Sequence, residues 1–114
     1  MDMPTGAEPA STSLAPVDSI PVGGGTIFGG HAVVVTRPDE ATVVAFDTLC
    51  PHRGCHVRAV AAGTINCFCH GSRFRITDGA VVGGPATRPL TPREIVLDGG
   101  VVGLAPRSAT EESR

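Results

Sequence analysis

The sequence predicts an all-β domain, and three observations carry that prediction. Its apolar runs are short and β-branched: "HAVVVT", "ATVVAF", "GTINCF", "SRFRIT", "GAVV", "EIVL" and "VVGL". Fifteen Gly and ten Pro punctuate the chain every few residues, which is hostile to helices. No window keeps a helical period, so α content should be very low.

Taken in order, residues 1–16, "MDMPTGAEPASTSLAP", are rich in Pro, Ser, Thr and Ala without periodicity and read as a flexible arm. The stretch "VGGGTIFGG" has neither a following helix nor a Lys-Ser/Thr pair, which a phosphate-cradling loop requires. It reads as a plain turn between two early strands. The β-branched runs, each bounded by turn residues, read as strands of an antiparallel sandwich or barrel. Asp78-Gly79 and Asp98-Gly99 are natural hairpin turns. The folded domain is therefore placed at residues 17–105, with residues 106–114 as a polar tail.

At 114 residues the chain fits one domain. A net charge of −2 and a pI near 6.0 argue against a nucleic-acid binder. All nine cations are Arg. Four Phe are the only aromatics, so the core must be built mostly from Val, Ile, Leu and Ala. Such a core is thinly supplied with burial energy, which raises the value of a disulfide or a metal as a staple. No run approaches the ~20 apolar residues that cross a bilayer, and no signal peptide is legible. As given, the chain reads as soluble.

Two short loops, "CPHRGC" at 50–55 and "CFCHGS" at 67–72, hold all four Cys and two of the four His. Cys50 and His52 form C-x-H, and Cys67 and His70 form C-x2-H. Thiolate and imidazole donors at such spacing suit zinc or an iron–sulfur centre. A structural zinc site usually opens with C-x2–4-C, so a single intervening residue is tight for one tetrahedral ion. It suits an extended loop that offers Cys and His to two metal atoms. His31, at a strand entrance, has no partner motif, and His56 lies outside the ligand pattern. Both are expected to face solvent.

The two loops, with "DGAVVGGPATRPL" and the flanking strands, resemble the Rieske [2Fe–2S] proteins, in which two His replace two Cys on one iron. The resemblance spans roughly residues 17–105. It implies an antiparallel β-sandwich with a cluster-binding subdomain of loops and short strands, and one [2Fe–2S] cluster. Cys50 and Cys67 would hold the inner iron, and His52 and His70 the outer, solvent-near one. Cys55 and Cys69 resemble the disulfide that bridges the loops in the high-potential, quinol-oxidising branch of the family. Closing that loop is worth about 3 kcal/mol in the chain-entropy model. "GGPATRPL", with Gly84 and Pro85, resembles the Pro-containing loop that covers the cluster from a third side.

Formal charge explains such a ligand set. Two ferric ions, two sulfides, two thiolates and two neutral imidazoles sum to zero, whereas four thiolates would leave −2. An electron enters a neutral centre more easily, so His ligation raises the potential, to about −150 to +300 mV across Rieske centres. Ser72 matches the family position whose hydroxyl donates to a bridging sulfide. Phe74 stands where many quinol-oxidising members carry Tyr, and the missing donor should lower the potential. Arg53 departs from the apolar residue that such members place beside the quinone site. Arg58, Arg73, Arg75 and Arg88 lie near the expected cluster end as solvated charge, or as a field that steers an acidic partner.

The resemblance implies one-electron transfer, most like the iron–sulfur subunit of a quinol:cytochrome c reductase, as a component of an oxidoreductase complex with no catalytic residue of its own. Donor and acceptor would then be a quinol or reductase and a cytochrome c or oxygenase. The arm would fit a hinge to a missing membrane anchor, and a disulfide favours an extracytoplasmic site. Two alternatives stand beside it: a soluble Rieske ferredoxin serving an oxygenase, and a zinc-stabilised interaction module.

Overall fold

The computed structural model describes residues 12–50, 55–68, 71–84 and 86–105. The expected disulfide partner Cys69, the expected ligands His52 and His70, and Arg53 and Pro85 lie outside them, as do most of the arm and the tail. Eleven strands and two 3-10 turns make up the regular structure among the described residues.

They run in the order β1 (Thr12–Pro16), η1 (Val17–Ser19), β2 (Gly24–Phe28), η2 (Gly29–His31), β3 (Val33–Asp39) and β4 (Thr42–Asp47). After the first cysteine loop come β5 (Ala59–Ala61), β6 (Thr64–Asn66), β7 (Arg73–Arg75), β8 (Val81–Gly83), β9 (Pro92–Arg93), β10 (Ile95–Asp98) and β11 (Val101–Leu104). All pairings are antiparallel and form three sheets, ordered β1-β11-β10, β2-β3-β4-β9 and β5-β6-β7-β8.

The chemistry of β3 explains the layering. Its run Val33, Val34, Val35, Thr36 is fully buried, because both faces of this strand meet apolar layers. Val33 and Val35 point into one core with Ile20, Ala45, Val102 and Leu104. Val34 points into the other, with Phe46, Cys50, Val57, Ile65, Cys67, Phe74, Ile76, Ala86 and Leu90. The second core joins the sheet to the cysteine loops. Thr36 buries its hydroxyl by donating to the Ile76 carbonyl at 2.7 Å, which ties β3 to the segment after β7.

Three details depart from the sequence reading. The arm does not extend to residue 16: Thr12–Pro16 pairs with β11 as an edge strand, and Leu14 packs on the first core. Such a strand takes its order from backbone pairing, which leaves no period in the sequence. The "VGGGTIFGG" stretch is not a plain turn, since Gly24–Phe28 pairs along β3. A Cβ on Gly25 would stand 2.5 Å from the Val35 carbonyl oxygen, so close strand packing explains this glycine. The β10–β11 hairpin turns on Gly99-Gly100, both at positive φ (63° and 81°), with Asp98 paired to Val101 at the strand end.

Candidate metal centre

Each cysteine loop is the tip of an antiparallel ladder. Below the first, the Val57 amide donates to the Thr48 carbonyl (2.7 Å), Leu49 bridges to His56, and the Cys50 amide donates to the Cys55 carbonyl (2.5 Å). Below the second, Asn66 faces Arg73 in the β6–β7 pair, and the Cys67 amide donates to the Ser72 carbonyl at 2.8 Å. The two six-residue loops thus close at their first and last residues. The ladders are cross-linked where the Arg58 amide donates to the Asn66 carbonyl at 2.9 Å. These bonds fix the bases of both loops.

Cys50 and Cys67 are engaged in no disulfide, are each 2% exposed, and belong to the same buried cluster. Cys55 is half-buried against that cluster. Among the described residues no three His, Cys, Asp or Glu gather as a metal site. The candidate ligand set has only its two cysteines within them.

The third loop is locked onto the second. Ser72 is 1% exposed, and its Oγ accepts the Ala86 amide at 3.1 Å. With that lone pair used, the hydroxyl proton remains to be donated elsewhere. Gly84 lies at φ 93°, and a Cβ there would stand 2.7 Å from the Gly71 carbonyl oxygen and 2.8 Å from the Ser72 nitrogen. Only a glycine allows this backbone-to-backbone approach. Phe74 is fully buried in the second core, which also contains both cysteines.

Several supports were not singled out in the sequence. Arg93, 11% exposed, donates to Asp47 Oδ1 at 2.9 Å and fixes β9 to β4. The Leu90 amide donates to the Gly79 carbonyl at 3.0 Å, while a Cβ on Gly79 would meet the Phe46 ring at 2.9 Å. These contacts seat the segment that follows the third loop. Thr48 Oγ1 and His56 Nδ1 are hydrogen-bonded at 2.7 Å, so His56 is exposed, as expected, yet braces the base of the first loop. His31 is exposed. These pairings join residues eight or more positions apart and leave no local motif. Only the paired charges Asp47 and Arg93 left a hint, as isolated ions beside apolar runs.

Two buried cysteines outside any disulfide, at the mouths of adjacent loops, fit a soft metal centre: a thiolate in such a place needs a cation to offset its lost hydration. A family model for the Rieske [2Fe-2S] domain matches residues 12–96. The chain belongs to the Rieske [2Fe–2S] domain family. It binds one [2Fe–2S] cluster and transfers electrons through it, which sets aside the zinc module.

Among curated relatives of this Rieske domain, the chloroplast cytochrome b6-f complex iron-sulfur subunit of Bigelowiella natans is 35% identical over 88 residues. That match covers 75% of this chain and 34% of the relative, so the chain spans about a third of that protein's length. Among solved structures, the ferredoxin of carbazole 1,9a-dioxygenase from Nocardioides aromaticivorans IC177 superposes with a TM-score of 0.62 at 29% identity. It covers 85% of this chain and 100% of the ferredoxin. The cyanobacterial plasma membrane Rieske protein PetC3 from Synechocystis PCC 6803 shares the fold, with a TM-score of 0.68 at 24% identity over 84% of this chain and 100% of that one.

Proposed function

We propose that this domain is a one-electron carrier of the disulfide-clamped Rieske class, the head of a quinol-oxidising or related membrane complex. Cys50 and Cys67 hold the inner iron, His52 and His70 the outer iron, and Cys55 pairs with Cys69. The observation that carries the reading is the division of labour among the cysteines. Cys50 and Cys67 are deeply buried and engaged in no disulfide, whereas Cys55 is half-buried at the edge of the same cluster, a place that suits a loop-bridging partner. The likeness to the Bigelowiella natans subunit supports the same class.

When bound, the cluster takes up and returns one electron at a time. The chain's own residues set the conditions. The ladders below Cys50 and Cys67 hold the thiolates out of water. Ser72 keeps a hydroxyl proton that stabilises added negative charge on sulfur. A disulfide between the loops would keep them at a fixed separation while charge changes. His52 and His70 would hold the outer iron, and their side of the centre would be the one a partner reaches.

A second reading, a ferredoxin that passes electrons to an oxygenase, is favoured by the match to the whole Nocardioides ferredoxin and by Arg53 in place of an apolar residue. A redox titration followed by visible absorption separates them. The disulfide-clamped class predicts a clearly positive potential, and the ferredoxin reading one near the lower end of the range of about −150 to +300 mV. Alkylation without reduction, read by mass spectrometry, should leave Cys55 and Cys69 unlabelled. Labelling of both with the cluster intact would overturn the clamp.

A further inference from the structure

We infer that the cluster end is a docking face for an acidic electron-transfer protein, formed by two grooves that each pair an apolar anchor with an exposed guanidinium. This rests on the electron-transfer reading and names the partner's chemistry.

The first groove, about 510 Å³, borders Cys50, Leu49 and Arg88. The second, about 400 Å³, borders Cys67, Phe68 and Arg73. Leu49 is 49% and Phe68 67% exposed, so one large apolar side chain stands in solvent beside each candidate sulfur ligand. Exposed apolar groups placed this way mark contact surfaces. Arg73 and Arg88 are exposed, and no carboxylate pairs with either among the described residues. Asp47, the acid in the first groove, is engaged by Arg93. Arg75, by contrast, is spent on Asp78.

The charge pattern of the whole chain points the same way. From residue 48 to residue 93 there are six Arg against a single acid, Asp78. The rest of the chain carries three Arg against ten acids. Among the described residues, 48–93 hold five Arg against Asp78 alone, and the others one Arg against six acids. Of those six only Asp47, engaged by Arg93, borders either groove, so charge is separated with its positive part around the grooves. Such a dipole orients a partner before contact, and complementary charge fixes the register of docking. Two separate concave grooves suit protruding side chains of a protein better than a flat lipid surface. The fitting partner shows carboxylates around one or two exposed apolar groups, near its own redox centre.

The test uses oxidised holoprotein whose visible spectrum shows the cluster; an absent spectrum would count against the functional reading alone. Binding is measured by surface plasmon resonance against cytochrome b5 as an acidic probe, cytochrome c as a basic one, and anionic phospholipid vesicles. The acidic cytochrome should bind although both proteins are net negative. Its affinity should fall by about tenfold or more as the screening length shortens from about 30 Å at 0.01 M salt to about 8 Å at 0.15 M. The Arg73→Glu/Arg88→Glu variant should lose binding by a similar factor, and Asp98→Lys, on the β10 hairpin, should not. The salt series on the unaltered protein needs no variant to fold. No binding to cytochrome b5 at low salt, tighter binding to cytochrome c, or vesicle binding alone would overturn the proposal. So would salt-sensitive self-association that occupies the face, or a double variant that binds normally.

Discussion

Ser72 and Phe74 sit two residues apart on one strand edge, both buried, and face the same question of how added charge on sulfur is stabilised. Ser72 uses its oxygen to accept from Ala86, so its hydroxyl has one proton left to donate. Removing that donor should cost the reduced state about 1 kcal/mol. For one electron this is roughly 40 mV, from 59 mV per tenfold change. Ser72→Ala should therefore lower the potential by roughly that much, and Phe74→Tyr should raise it; unchanged potentials in both, by voltammetry with cluster content preserved, would contradict the assignment. Ser72→Ala should also destabilise the fold by about 1–3 kcal/mol in chemical denaturation, because the buried Ala86 amide loses its acceptor. The place of Ser72 was legible from its loop. Its tie to Ala86 was not, because a hydrogen bond across fourteen residues depends on how the third loop folds back.

At the scale of elements, the loops work because their bases are fixed. Gly84→Ala would push a methyl into the backbone of Gly71 and Ser72 from a left-handed conformation. Such strain costs on the order of 1–3 kcal/mol, and iron content per chain should fall with it. Gly84 was expected in the covering loop, but its reason, close backbone approach, is visible only in three dimensions. The β7–β8 connection is held by Arg75, which donates to both Asp78 oxygens at 3.1 and 2.8 Å, while Asp78 also accepts from Ala80. The Arg75 hydrogen bond, then the Ala80 amide, lowers the Asp78 pKa from 3.8 to about 2. With a depressed folded pKa, the carboxylate's contribution is complete above about 4 and is lost as pH falls through about 2. Carbon-13 NMR should place the Asp78 midpoint near 2, and Arg75→Ala should move it toward 3.8. The β-branched runs announced β3, β4, β6, β7, β8, β10 and β11. The strands β1, β2, β5 and β9 were not announced, being edge, Gly-rich or two to three residues long in most cases, and held by pairing more than by composition.

The whole molecule is two cores that share β3, one sealing the sheets and one reaching the cysteines. With only four Phe, neither core has much large apolar surface, and the second includes Cys50 and Cys67 themselves. A cluster held on these two cysteines would be part of what closes the fold at that end and would couple folding to loading. The family was legible because its expected ligands occupy two contiguous motifs; that Leu49 and Arg88, and Phe68 and Arg73, share grooves shows only in three dimensions. The central claim is a mixed-ligand [2Fe–2S] centre on Cys50, His52, Cys67 and His70, and Mössbauer spectroscopy of the oxidised protein loaded with iron-57 tests it most directly. The account predicts two inequivalent ferric sites of equal area, one with four sulfurs and one with two sulfurs and two nitrogens. Two equivalent irons, or a chain that holds stoichiometric zinc and no sulfide, would contradict it.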